Sequence, residues 1–192
     1  EMLEAQAVYA AEYFLDRKFE DAPAEISRVT AAIRRDTLNV VLIGMPSSGK
    51  STIGRMLAEK LGKRFLDLDD EVVKADGRTI PEIFAQKGEP YFRACETALL
   101  ESFAQGQPRI VSCGGGVPMR EENVAAMRRC GTVVLLTARP EVILDRVKDD
   151  HNRPLLEGHK DVPYISSLME QRRPKYEAAA DVTVATSALS VE

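Results

Sequence analysis

Residues 44 to 51 read Gly-Met-Pro-Ser-Ser-Gly-Lys-Ser, which fits the pattern G-x-x-x-x-G-K-[ST] at every constrained position. Each constrained type has a chemical reason. Glycines at Gly44 and Gly49 let the main chain approach an anion closely. Successive backbone N–H groups at Ser47, Ser48, Gly49 and Lys50, with the N-terminus of a following helix, can then cradle phosphates. The Lys50 ammonium suits the β- and γ-phosphates and the Ser51 hydroxyl suits Mg²⁺. Pro46 and Thr52 complete the stretch, and Thr52 is expected to pack or hydrogen-bond in the first helical turn. The pattern points to ATP bound with Mg²⁺. The alternative is an ordinary glycine-rich turn with an exposed lysine.

Such a loop works only between a buried strand and a helix, and the flanking sequence supplies both. Val40-Val41-Leu42-Ile43 is a short, largely β-branched run, and Lys50 to Leu61 reads as a helix. Further strands are expected at Arg64–Leu68, Arg109–Ser112, Thr132–Thr137 and Asp181–Ala185, each separated from the next by helical sequence. Apolar strands alternating with helices imply a parallel sheet covered on both faces, here an α/β fold of three layers with five strands. Two helices are expected before it. Leu3, Ala7, Ala10, Ala11 and Phe14 share one face over residues 2–15, and Ile26, Val29 and Ile33 share another after a start at Asp21 and Pro23.

Composition narrows the classes. The 192 residues are 44% hydrophobic and 29% charged, with a net charge of −4, which gives no broad positive field for nucleic acid or anionic membrane. Apolar runs such as Val40–Met45 and Thr132–Ala138 fall far short of the ~20 residues that span a bilayer. Residues 1–18 lack the layout of a signal peptide, so the cytoplasm is the expected location. Cys95, Cys113 and Cys130 are odd in number and have no C-x-x-C spacing, and the chain has two histidines; reduced, non-catalytic thiols are expected.

The stretch Gly44-Met45-Pro46-Ser47-Ser48-Gly49-Lys50-Ser51-Thr52-Ile53-Gly54-Arg55 resembles the phosphate loop of shikimate kinases. The likeness continues in order from residue 39 to about residue 186. It includes Phe65-Leu66-Asp67-Leu68-Asp69, Gly88-Glu89-Pro90-Tyr91-Phe92-Arg93 with Glu96, Gly114-Gly115-Gly116, Arg153-Pro154-Leu155-Leu156 and Gln171-Arg172-Arg173-Pro174-Lys175-Tyr176.

The resemblance implies phosphoryl transfer from ATP to the 3-hydroxyl of shikimate, and it implies roles. Asp67 is expected across from Ser51, on Mg²⁺ directly or through water. Asp69, one pleat further on the same side of the strand, is expected to accept or orient the attacking hydroxyl's proton. The competing reading makes Asp69 and Asp70 caps of the next helix. Arg93 and Arg172 suit the substrate carboxylate, because a guanidinium fork grips two oxygens. Glu96 shares a helical face with Arg93 and could hold it, or the two could form a solvated pair. Backbone N–H groups of Gly114, Gly115 and Gly116 can approach both substrate and γ-phosphate. Cys113 before them is expected to pack. Phe84 and Phe92 resemble pocket walls, though core positions fit equally well. Arg153 is expected to close over ATP from a lid, with His151 and His159 merely solvated, and Arg146 to lie on the adenine.

Residues 1–36 precede the kinase-like part, which spans 37–192. Met2-Leu3-Glu4-Ala5-Gln6-Ala7, the helix to Leu15 and Pro23 resemble the C-terminal end of shikimate dehydrogenase. That implies a covalent dehydrogenase-kinase fusion, in which Gln6 has lost its substrate contact; a helical extension used for packing is the alternative. The family has one more helix after the last strand, and stability or activity is expected to suffer where it is missing. A monomer is expected. Competing functions are a related kinase acting on gluconate and a silent nucleotide-binding module.

Overall fold

Val41, Leu42 and Ile43 are each no more than 1% exposed, so the run that leads into the phosphate loop is buried on both faces of its strand. Each such side chain contributes ~1.5–3 kcal/mol by leaving water, enough to make this strand the centre of the sheet. A computed structural model describes residues 38–105, 107–147 and 161–187, with 23, 24, 26 and 27 in addition. The expected helix over 2–15, Gln6, and the lid segment with His151, Arg153 and His159 lie outside the described residues. The chain divides into two compact units, Glu1–Leu38 and Asn39–Glu192. In the first, Pro23, Ala24, Ile26 and Ser27 are helical, and the Ser27 hydroxyl donates to the Pro23 carbonyl at 3.0 Å.

The second unit runs β1 (Asn39–Ile43), α1 (Lys50–Leu61), β2 (Arg64–Asp67), α2 (Leu68–Asp76), α3 (Ile80–Phe103), β3 (Arg109–Ser112), a 3-10 turn (Val117–Met119), α4 (Glu121–Cys130), β4 (Gly131–Thr137), α5 (Pro140–Val147), α6 (Val162–Ala179) and β5 (Val182–Ala185). The five strands are all parallel, in the order β2-β3-β1-β4-β5. Val41 faces Val111 on one side and Val133 on the other. Alternation along β1 feeds both layers: Val41 and Ile43 join α3, α4 and α6 through Leu100, Met127 and Ile165, while Leu42 meets Ala58 of α1. The chain leaves β1 toward β2 and later returns to β4 on the opposite side. That reversal opens a crevice at the carboxyl ends of β1 and β3, the usual ligand site of such sheets.

The second strand ends earlier than the sequence pattern suggests. Leu68 begins α2, so Asp69 is not one pleat beyond Asp67 on a strand but lies in the first turn of a helix. The local reason is a cap. Asp67 adopts extended backbone and its Oδ1 accepts the Asp69 N–H at 3.2 Å, while Asp69, Asp70 and Glu71 sit where the helix dipole favours negative charge. The capping residue is therefore Asp67, and neither Asp69 nor Asp70 is the cap. Thr52, expected to pack or hydrogen-bond in the first helical turn, is exposed on α1.

Helix α3 is broken once. Gly88 has φ 80° and ψ 168°, a conformation glycine alone adopts readily, and Pro90 restarts the helix two residues later. The kink places Phe92, Arg93 and Glu96 at the head of the second segment. Its first segment starts at Ile80 after the N-cap Thr79, and Glu82 in the first turn reaches back, its Oε2 accepting from the Thr79 backbone N–H at 2.8 Å and from the Thr79 hydroxyl at 2.7 Å.

Asn39 ties these layers together at the opposite end of the sheet. Its amide donates to the Phe103 and Cys130 carbonyls at 2.9 and 3.0 Å, and its oxygen accepts the Arg109 N–H at 2.9 Å. One buried side chain thus closes α3, α4 and the start of β3 onto β1. Asn39→Ala takes a partner from two buried carbonyls and from the part-buried Arg109 N–H, and the expected loss is about 2–4 kcal/mol by denaturant unfolding. Substrate KM values should not move, because the site lies at the other end of the strands.

Candidate functional site

The phosphate loop follows β1 with the conformations its residues were expected to permit. Gly44 has φ 141°, and a Cβ there would lie 2.3 Å from the Leu136 carbonyl oxygen; Gly49, at φ 97°, caps α1. Ser47 is left-handed at φ 60° without being glycine, a local strain of order 1 kcal/mol. The loop is held from three directions. Lys50 folds back, 7% exposed, and donates to the Gly44 and Met45 carbonyls at 3.1 and 2.8 Å. Arg146 of α5 donates to the Ser47 carbonyl at 3.2 Å. Thr186, just past β5, donates to the Ser48 carbonyl at 3.1 Å or the Thr137 carbonyl at 3.0 Å. Ser48 itself is fully buried, and its Oγ has no hydrogen-bond partner among the described residues, so its side chain faces the loop's interior.

Ser51 and Asp67 meet, as the resemblance implied. The Ser51 hydroxyl donates to Asp67 Oδ2 at 2.8 Å and lies 3.3 Å from the Ser112 hydroxyl. This cluster of hard oxygens suits Mg²⁺, which takes one or two protein oxygens and completes its shell with water and phosphates. No group of three or more His, Cys, Asp or Glu residues that could hold a metal occurs among the described residues. The oxygen set at Ser51 and Asp67 thus fits a phosphate-borne ion and not a protein cage.

Beside it, the turn Gly114–Gly116 brings four charged side chains to one place. A Cβ on Gly114 would lie 3.0 Å from Asp69 Oδ1 and 3.3 Å from Glu96 Oε1. One on Gly115 would lie 2.9 Å from Pro46 Cδ and 3.5 Å from Arg172 Nη1; one on Gly116 would lie 3.0 Å from both terminal nitrogens of Arg93. Asp69, Arg93, Glu96, Arg172 and the phosphate loop therefore surround a turn on which an added side chain would have to displace Pro46 or press on the ends of Asp69 and Arg93.

Arg93 is held on two sides, by Glu96 Oε2 at 2.9 Å and by Glu89 Oε1 at 2.8 Å. Glu96 is fully buried, so the pair is not a solvated one, and its Oε1 has no partner among the described residues. Burial pushes the Glu96 carboxyl up to about 7, against the pull of Arg93; Asp69 pushes the same way and Arg120 opposes it. Burial also drives the Cys113 thiol well above its ordinary range, and Cys113 packs in the core as expected of a non-reactive residue. Phe92 is buried with Val72 and Ile83, while Phe84 is 38% exposed with its ring 5.1 Å from that of Phe92.

Three contributors escaped the sequence reading. Thr186 bears on the phosphate loop from β5. Asn123, fully buried, accepts from the Thr97 hydroxyl at 2.6 Å and donates to the Val117 carbonyl at 3.0 Å, which fastens the glycine turn to α3. Tyr176 donates to the Gly115 carbonyl at 2.7 Å. Thr186 and Tyr176 are remote in sequence from what they support, Asn123 bridges nearby Val117 and distant Thr97, and a lone hydroxyl or amide carries no periodic signal; only Tyr176 stood within a noted motif.

The Glu96 shift has a stability consequence. The unfolded chain releases this proton near pH 4.5 and the folded chain near 7, so the folded state binds more protons between them and stability falls as pH rises through that window. Glu96→Gln should remove this component, of order 3 kcal/mol at full extent. Thermal denaturation at pH 5 and pH 8 checks it: the variant should lose less stability between the two than the parent chain does.

Comparison with known proteins agrees with this geometry. The shikimate kinase family model matches residues 46–192. A shikimate kinase from Persephonella marina is 43% identical over 152 residues, covering 79% of this chain and 91% of that protein. The structure of shikimate kinase from Acinetobacter baumannii in complex with shikimate superposes with a TM-score of 0.76 at 34% identity, covering 84% of this chain and 90% of that one. That of shikimate kinase from Aquifex aeolicus gives 0.65 at 40% identity, with 77% and 86% covered. With phosphate loop, paired aspartates and glycine turn set at one crevice of a parallel sheet, and with relatives matched over nearly their whole length, the chain belongs to the shikimate kinase family.

Proposed function

We propose that this chain transfers the γ-phosphoryl group of ATP to the 3-hydroxyl of shikimate, with Asp69 taking the hydroxyl proton. The observation that carries the assignment of roles is the convergence of Asp69, Arg93, Glu96 and Arg172 on Gly114–Gly116, a turn that itself packs on Pro46 of the phosphate loop. Donor loop and acceptor pocket in contact is what this reaction requires. Phosphoryl transfer offers the protein little covalent chemistry and is accelerated by positioning and by neutralising charge.

The backbone of residues 44–51 receives the ATP phosphates, and Lys50, already poised over the loop, neutralises their β- and γ-oxygens. Mg²⁺, held by Ser51 and Asp67, would supply further neutralisation of the phosphate oxygens. Arg146 lies at the loop's outer edge, where it can turn onto the adenine, and Arg153 closes from the lid. Arg93 and Arg172 flank the glycine turn and grip the shikimate carboxylate. Glu96 holds Arg93 at the cost of burying a carboxylate. Phe84, backed by Phe92, forms an apolar wall. As the 3-oxygen forms its bond to phosphorus and the bond to ADP breaks, the hydroxyl proton passes to the Asp69 carboxylate.

Beyond the kinase unit, residues 1–36 are read as the end of a shikimate dehydrogenase joined covalently to it, on the motif Met2–Ala7. The cytoplasm and a monomeric kinase unit complete the reading. No helix among the described residues is long and apolar enough to cross a membrane.

Release of ADP from MgATP, measured with shikimate, with gluconate and with no acceptor, tests the reaction: release is expected with shikimate alone, and equal release with gluconate would overturn the acceptor assignment. Asp69→Asn should lower kcat by roughly 10²- to 10⁴-fold with nucleotide binding retained. Full turnover in that variant would remove Asp69 from the mechanism.

A further inference from the structure

Gly115 is the middle of the glycine turn, and its carbonyl oxygen receives two donors from α6: the Tyr176 hydroxyl at 2.7 Å and Arg172 Nη1 at 3.3 Å. Both lone pairs of that oxygen are thereby used. Tyr176 is 4% exposed, and burial pushes its phenol up, so it stands there as a neutral donor. Its hydroxyl also lies 3.9 Å from the sulfur of Met45, the second residue of the phosphate loop. Lys175, next to it, donates to the Met119 carbonyl at 2.8 Å, so α6 grips the segment after the turn a second time.

The consequence lies in the peptide plane. In a trans peptide the C=O of Gly115 and the N–H of Gly116 point in opposite directions. Holding the oxygen toward α6 turns the Gly116 N–H away from it. Neither the Gly115 nor the Gly116 N–H has a hydrogen-bond partner among the described residues. The Cβ position of Gly116 meets Arg93, and that of Gly115 meets Pro46. Tyr176 therefore fixes the one peptide that lies between the acceptor-gripping arginine and the donor loop.

We propose that Tyr176 is a positioning residue for the acceptor: its hydroxyl sets the orientation of the Gly115–Gly116 peptide and, through Met45, keeps that peptide in register with the phosphate loop. This rests on the reading of Gly114–Gly116 as the acceptor turn. Removal of the hydroxyl leaves Arg172 as the only donor to the Gly115 oxygen among the described residues, frees the peptide to rotate, and weakens acceptor binding while the ATP cradle, whose own anchors are Lys50, Arg146 and Thr186, stays in place.

The test is Tyr176→Phe, which keeps the ring in the core and deletes one oxygen. Initial rates with shikimate varied at saturating MgATP, and with MgATP varied at saturating shikimate, should show the shikimate KM raised roughly five- to tenfold, the size expected for one hydrogen bond, with the ATP KM within about twofold. Gly116→Ala, measured alongside, tests the reading beneath it. A raised shikimate KM in Gly116→Ala with no change in Tyr176→Phe overturns the positioning role alone. No change in either removes the turn from the acceptor site. A Tyr176→Phe protein that is poorly folded, or whose two KM values rise together with a fallen Tm, shows a merely structural tyrosine and overturns the proposal as well.

Discussion

The parallel pairing of β1 with β3 is the constraint on which the rest of this structure depends. Leu42 stands opposite Ser112, and the Cys113 N–H continues the ladder to the Leu42 carbonyl at 3.0 Å. Two loops are thereby launched side by side from one end of the sheet, the phosphate loop after Ile43 and the glycine turn after Cys113. A slip of one residue would exchange the faces of every side chain on β3 and bury Ser112 away from Ser51. At the far end Asn39 fastens α3, α4 and β3 onto β1.

At the site itself the fold accepts electrostatic cost. Burying Glu96 is unfavourable by itself, and its ion pair with Arg93 offsets part of that cost. What results is a guanidinium clamped between Glu96 and Glu89 and set against the glycine turn, with little conformational freedom left to lose in the carboxylate grip proposed for it. Lys50 illustrates the same economy on the donor side, since its carbonyl partners Gly44 and Met45 belong to the loop that it serves.

Much of this was legible in the chain itself. The five strands, their parallel arrangement and the phosphate loop were readable because each rests on a local signal: apolar runs, glycine placement and a lysine followed by serine. The meeting of Ser51 with Asp67 and the hold of Glu96 on Arg93 were also readable. The placement of Asp69 was not, because two propensities compete there, strand continuation and an aspartate cap, and the cap at Asp67 prevails. Contacts that close over long sequence separations, from Thr186 to Ser48, Asn123 to Thr97 or Tyr176 to Gly115, depend on the assembled fold and leave no trace in local pattern.

The glycine turn constrains how this sequence can drift. A methyl group on its first residue would press on Asp69, on its second against a rigid proline ring of the donor loop, and on its third into the guanidinium of Arg93. At the second position the proline ring itself must shift, whereas at the first and third the ends of Asp69 and Arg93 must yield by a few tenths of an ångström. A substitution compensated at one of these neighbours gains no tolerance at the next. Under the roles proposed above, the turn is bounded by the proton acceptor, the donor loop and the acceptor grip, each a separate neighbour that a side chain on the turn would disturb.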